Sequence, residues 1–123
     1  MSEQAPAVVA VVDDDPRILE SLHELLESAG YQVRLHSSAR SLLESGVSDI
    51  DCLVTDISMP IMDGLELRDR VREMRPELAV FLISARRDLP PGEDAAGGTF
   101  FPKPFDGPSL LAAIDKALSD AKA

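Results

Sequence analysis

Residues 8–16 read Val8-Val9-Ala10-Val11-Val12-Asp13-Asp14-Asp15-Pro16. An unbroken apolar run of this length, with no polar alternation, is the pattern of a strand buried on both faces of a parallel sheet. Asp15-Pro16 then reads as a helix start, with Asp15 as N-cap and Pro16 in the first helical position. Downstream, Leu53-Val54-Thr55-Asp56 again ends an apolar run on a carboxylate. Ligands of open α/β sheets sit at the carboxyl ends of the strands. Asp13, Asp14 and Asp56 are therefore candidates for one site.

Elements alternate in type from end to end. Ile18, Leu19, Leu22, Leu25, Leu26 and Ala29 form one apolar face at helical spacing, which Gly30 ends. Tyr31, Val33 and Leu35 alternate with Gln32, Arg34 and His36, the pattern of a half-exposed edge strand. Ser37-Ser38 leads into a short helix with Leu42 and Leu43 that stops near Gly46. Residues 50–55 form the third strand, and residues 59–64 a loop. A helix carrying Leu67, Val71 and Met74 then ends at Pro76. Residues 79–83 and 99–101 supply the fourth and fifth strands. Leu110, Leu111, Ile114, Ala117 and Leu118 line a last helix, with a frayed tail beyond Leu118. Strands and helices in this order predict a parallel sheet covered by helices on both faces.

The length of 123 residues suits one domain, so residues 1–123 are read as a unit with tails at 1–6 and 120–123. A hydrophobic share of 45% and a charged share of 28% place it among globular chains. No apolar stretch approaches the roughly 20 residues needed to cross a bilayer, and residues 1–6 lack the features of a secretory signal. Cys52 is a single cysteine, so no internal disulfide forms and the expected location is the cytoplasm. A formal charge of −10 argues against direct contact with nucleic acid or anionic membrane. It favours a metal ion or a basic protein surface.

With Asp15 used as a cap, Asp13, Asp14 and Asp56 gather at one rim, where they repel one another unless a cation intervenes. Hard oxygen ligands suit magnesium, which would also neutralise phosphoryl oxygens in an in-line transfer. Asp56 would be the nucleophile, since a carboxylate can accept phosphate as an acyl phosphate. Taken singly, acids at strand ends are commonly turn formers and caps. Taken with Lys103, in Phe101-Pro102-Lys103-Pro104-Phe105, they read as a site. Lys103-Pro104 is a candidate cis peptide that would aim the ammonium across the sheet edge; the ordinary alternative is an exposed loop lysine. Ser84 ends the fourth strand, where its hydroxyl could donate to a phosphoryl oxygen.

Other groups carry less. His23 and His36 lack metal-ligand spacing and read as surface histidines. Cys52 reads as inert core. Phe81, Phe100, Phe101 and Phe105 are too few and too scattered to stack nucleobases. No glycine-rich phosphate loop and no Ser-His-Asp set can be named.

Taken together, Val11-Val12-Asp13-Asp14-Asp15-Pro16, Leu53-Val54-Thr55-Asp56-Ile57-Ser58-Met59-Pro60, Met62-Asp63-Gly64, Ile83-Ser84-Ala85 and Lys103-Pro104-Phe105 resemble the receiver domains of bacterial two-component response regulators. The resemblance covers essentially the whole chain. It implies a flavodoxin-like five-stranded sheet of order 2-1-3-4-5. It also implies a phosphoacceptor switch rather than a turnover enzyme: Asp56 receives phosphate from a sensor histidine kinase or histidine phosphotransfer protein, and the domain then controls a downstream partner or output domain. Asp14, Asp56 and the backbone carbonyl of Ser58 would bind Mg2+ directly, with Asp13 acting through water. Lys103 would pair with the phosphoryl group, Ser84 would be the switch hydroxyl, and Phe100 the aromatic that turns inward with it. Ser58 and Arg86 stand where the family tunes the lifetime of the aspartyl phosphate.

One departure from the family pattern is visible. The segment between Ser84 and Lys103 is short, and residues 87–98 carry two prolines and three glycines. The helix expected there would be short, distorted or absent, which bears on the usual output face. Two other readings stay open: a receiver-like interaction module that signals without phosphate, and a phosphatase of the haloacid-dehalogenase type, for which Asp13 and Asp15 mimic paired aspartates.

Overall fold

The computed structural model describes residues 6–84, 99–103 and 105–122. Within them the elements run β1 (Val8–Val12), α1 (Pro16–Ser28), β2 (Gln32–His36), α2 (Ala39–Ser45), β3 (Cys52–Asp56), α3 (Gly64–Met74), β4 (Ala79–Ser84), β5 (Thr99–Pro102) and α4 (Gly107–Lys122). The strands form one sheet in the order β2-β1-β3-β4-β5, and every neighbouring pair is parallel. This is the doubly wound, flavodoxin-like arrangement. Its strand order reverses between β1 and β3, where crevices open at the carboxyl rim.

The two-residue period of a strand divides the core into two layers. Ala10, Val12, Leu53, Val80 and Leu82 point to one face, where Ala39 and Leu42 of α2 and Leu67 and Val71 of α3 cover them. Val9, Val11, Cys52, Val54, Phe81 and Ile83 point to the other, beneath Leu22 and Leu26 of α1 and Leu110 and Ile114 of α4. An apolar run without alternation is what this two-sided burial requires. Asp15, Ser38 and Asp63 cap α1, α2 and α3 through side-chain oxygens that accept the backbone N–H groups of Arg17, Ser41 and Glu66. Gly46, at φ 90°, lets the chain leave α2 in a conformation other residues resist.

Several expectations need correction. β3 begins at Cys52 and includes Asp56, so Ile50 precedes the strand. On the edge strand β2, Leu35 is 41% exposed, so the expected alternation does not bury it. Met74, expected on the buried stripe of α3, is 51% exposed; the stripe stops at Val71, and the chain turns away at Arg75. Arg75 instead fastens this corner: its Nη1 donates to the carbonyls of Val47 (2.7 Å) and Ile50 (2.6 Å). Ala29 is the exposed C-cap of α1 rather than part of its apolar face. α4 continues to Lys122, past the point where fraying was expected. His36 is half-buried rather than a surface group, with Nδ1 2.8 Å from Ser41 Oγ, and burial lowers its pKa. The helix expected between β4 and β5, Arg86, and the Lys103-Pro104 peptide lie outside the described residues.

Candidate functional site

Val12 of β1 pairs with Thr55 of β3, so the next residues, Asp13 and Asp56, emerge side by side from the centre of the sheet. Asp13 is held on both sides. Its backbone N–H donates to the His36 carbonyl (3.1 Å), and its Oδ1 accepts from the Asp15 N–H (2.9 Å). Asp56 is anchored through its successor, since the Ile57 N–H donates to the Ile83 carbonyl of β4 at 3.0 Å. Carboxylate oxygens of Asp13, Asp14 and Asp56 all lie within 4.8 Å of one another. Asp13 and Asp56 are 1% and 4% exposed, whereas Asp14 faces solvent.

Lys103 reaches this cluster from β5. Its backbone N–H donates to the Ser84 carbonyl (2.9 Å), which fixes where the side chain starts. Its Nζ then lies 3.2 Å from Asp13 Oδ2 and 3.2 Å from Asp56 Oδ1. Lys103 is thus not an exposed loop lysine but a bridge between two buried acids. Ser84 is buried at the end of β4, and Phe100, 7% exposed, packs in the α2/α3-side core. Ser58 is exposed two residues beyond Asp56.

The electrostatics follow from this crowding. Burial raises the pKa of Asp13, against the pull of the Asp15 N–H and of Lys103. Burial also raises Asp56, the negative charge of Asp13 adds to the rise, and Lys103 opposes it. Burial disfavours the charged Lys103 ammonium, but the two carboxylates together outweigh it and its pKa is raised. The site therefore holds more negative charge than its protein partner offsets. A donor set of three hard carboxylate oxygens fits a divalent metal ion of the magnesium class. Chemically, the arrangement offers a cation site, an oxygen nucleophile and a fixed ammonium within reach of one another.

Two residues with structural claims on the site were given no role by the sequence: Gly64, seen only within Met62-Asp63-Gly64, and Ile61, placed only in a loop. A Cβ on Gly64 would sit 2.2 Å from the backbone oxygen of Asp56, so α3 packs against the peptide of Asp56 itself. The Gly64 N–H closes the intervening loop by donating to the Ile57 carbonyl at 2.9 Å. The Asp63-Gly64 pair was a signal of tight backbone, but also of an ordinary turn. Ile61 adopts φ 71° in that loop, and no sequence rule places a β-branched residue there.

A doubly wound sheet whose rim carries clustered acids and a strand-end lysine is the arrangement the receiver-domain resemblance implies. The response regulator receiver domain family matches residues 9–115, and the chain belongs to that family. Among curated proteins it is 38% identical over 122 residues to the transcriptional regulatory protein FixJ of Azorhizobium caulinodans, covering 96% of this chain and 57% of that protein. It is 35% identical over 120 residues to the DNA-binding transcriptional regulator NtrC of Rhizobium meliloti, covering 94% of this chain and 25% of that one. The chain thus spans between a quarter and somewhat over half the length of these relatives. Among solved structures, a receiver domain protein from Clostridium thermocellum superposes with a TM-score of 0.85 at 28% identity, covering 94% of this chain and 97% of that one. The response regulator TrrA of Thermotoga maritima, solved in complex with Mg2+-BeF, gives 0.77 at 27% identity, covering 90% and 98%. No helix among the described residues is long and apolar enough to cross a membrane.

Proposed function

We propose that residues 1–123 form a single cytoplasmic receiver domain that accepts a phosphoryl group on Asp56 from a phosphohistidine of a sensor kinase or phosphotransfer protein. An Asp56 carboxylate oxygen attacks phosphorus, the P–N bond breaks, and the imidazole leaves. Asp14, Asp56 and the Ser58 carbonyl would hold Mg2+, with Asp13 assisting through water. Magnesium, when bound, supplies charge neutralisation for the transferring oxygens. Lys103 keeps its ammonium beside the nucleophile and pairs with the phosphoryl group once it arrives. The Ser84 hydroxyl then donates to a phosphoryl oxygen, and with Phe100 conveys the change to an output domain or downstream protein. Hydrolysis of the acyl phosphate returns the domain slowly to rest, so it acts as a switch rather than a turnover enzyme.

The observation that carries this reading is the Lys103 ammonium, 3.2 Å from carboxylate oxygens of both Asp13 and Asp56. Capping or turn duty for each acid separately would not require that convergence. The test is incubation with acetyl phosphate and Mg2+ followed by intact mass. One phosphoryl adduct per chain is expected, abolished by Asp56→Asn and by chelation of the metal. Repeated turnover of a phosphate ester, or no adduct with any donor, would reject the proposal.

A further inference from the structure

We propose that Ile61 is a docking contact for the protein phosphodonor, a specificity-determining residue at the mouth of the site; this rests on the phosphoacceptor reading above. Ile61 combines two features that stability alone would remove. Its φ of 71° lies in a region that β-branched L-residues resist. The Met62 N–H donates back across it to the Pro60 carbonyl at 2.8 Å, a three-residue turn of the rare, strained hand. Its side chain is also fully exposed, so no packing offsets the strain. Single exposed apolar residues are ordinary, and Leu35 and Met74 are such cases, on regular elements at negative φ. Among the described residues only Ile61 has both properties, and unusual backbone of this kind concentrates at functional sites.

Its position supplies the occupant. The loop that bears Ile61 leaves β3 at Asp56 and is closed by the Gly64 N–H on the Ile57 carbonyl, so its tip stands at the carboxyl rim. Asp56 is 4% exposed, so a macromolecule delivering a phosphoryl group must press its surface onto that rim. The exposed acids there, Asp14 and Asp63, and the chain's charge of −10 favour a basic donor surface. An apolar side chain standing among them gives such a surface a contact to desolvate. A small donor such as acetyl phosphate reaches Asp56 without it.

The probe is an autophosphorylated histidine kinase, chosen from a panel as the one that phosphorylates the wild-type chain fastest. Ile61→Asn, which accepts this backbone conformation, and Ile61→Asp should slow transfer from it by about tenfold or more, the loss expected of one central contact. Labelling by acetyl phosphate should be unchanged, and Ile61→Leu should retain transfer near the wild-type rate. A melting temperature for Ile61→Asn at or above wild type keeps the loss from being a folding defect. Unaltered kinase transfer in both polar variants would overturn the proposal. So would a parallel fall in acetyl phosphate labelling, which would make the loop part of the site's scaffold. A wild-type dimer dissociated by Ile61→Asp with unchanged transfer would assign the contact to a second copy instead. Failure of wild type to take phosphate from acetyl phosphate would overturn the phosphoacceptor reading itself; labelled wild type with indifferent variants overturns only the role of Ile61.

Discussion

Burial sets the fold against the charged form of Asp56. Its pKa is raised, by burial and then by Asp13, so the folded protein binds this proton more tightly than the unfolded chain does. The stability this group contributes is therefore present below the ordinary carboxylate range and lost as pH rises through the raised value. Asp56→Asn, which removes the charge, should melt a few degrees above wild type at pH 7 in chelator. That gain should vanish when the melts are repeated at acid pH, where the wild-type carboxyl is protonated; a gain that persists would locate the effect elsewhere. Cys52 gives a second test. Burial raises its thiol pKa, so it should resist alkylation until the protein is unfolded. At this scale the sequence was informative wherever a residue's neighbours along the chain defined its place. Asp13, Asp14, Asp56 and Lys103 each follow an apolar run, so their convergence was legible. The division of burial between Asp13 and Asp14 was not, because it depends on the Asp15 N–H turning one carboxylate inward. Nor was the backbone of Ile61, which loop closure imposes.

The element that most constrains the site is α3. Its first residue must be glycine, because the added methyl of Gly64→Ala would meet Asp56 backbone oxygen at 2.2 Å and Ile57 Cα at 2.9 Å. Backbone atoms cannot swing aside as a side chain does, so either the helix or the peptide of Asp56 must move. We expect a loss of roughly 1–3 kcal/mol in urea unfolding, the range for overpacking, together with acetyl phosphate labelling at least severalfold slower. Ser38→Ala is the matched comparison. It removes the cap of α2 and should lower stability by about 1 kcal/mol while labelling proceeds at the wild-type rate. Slower labelling in both variants would mean that the rate tracks stability alone. Element types and their order were readable because the apolar periods of β1, α1, β3 and α4 are long and clean. Their limits were not. Met74 continues the helical period but lies where the Arg75 clamp turns the chain, and Leu35 alternates correctly on an edge strand yet stays exposed. Both depend on contacts from distant segments.

At the scale of the whole molecule, the described residues form a buried parallel sheet between two apolar layers, with an acidic cluster at its carboxyl rim. Any ion that binds there in the folded state alone raises stability with concentration. The melting temperature of wild type should therefore climb steadily with Mg2+, and that of a chain carrying both Asp14→Asn and Asp56→Asn should stay nearly flat. An equal response in both would show that the ion acts at the surface in general. The parallel sheet followed from the alternation of elements and its strand order from the family resemblance, yet the sequence did not reveal how far the lysine beside the outermost strand reaches. That reach has a consequence for the ion's identity. When ionised, three carboxylates beside one ammonium leave a deficit of two elementary charges. Sodium or potassium fills half of that deficit and a lanthanide overshoots it. On charge balance alone, an ion at this rim would neutralise it fully only if divalent, whatever its size.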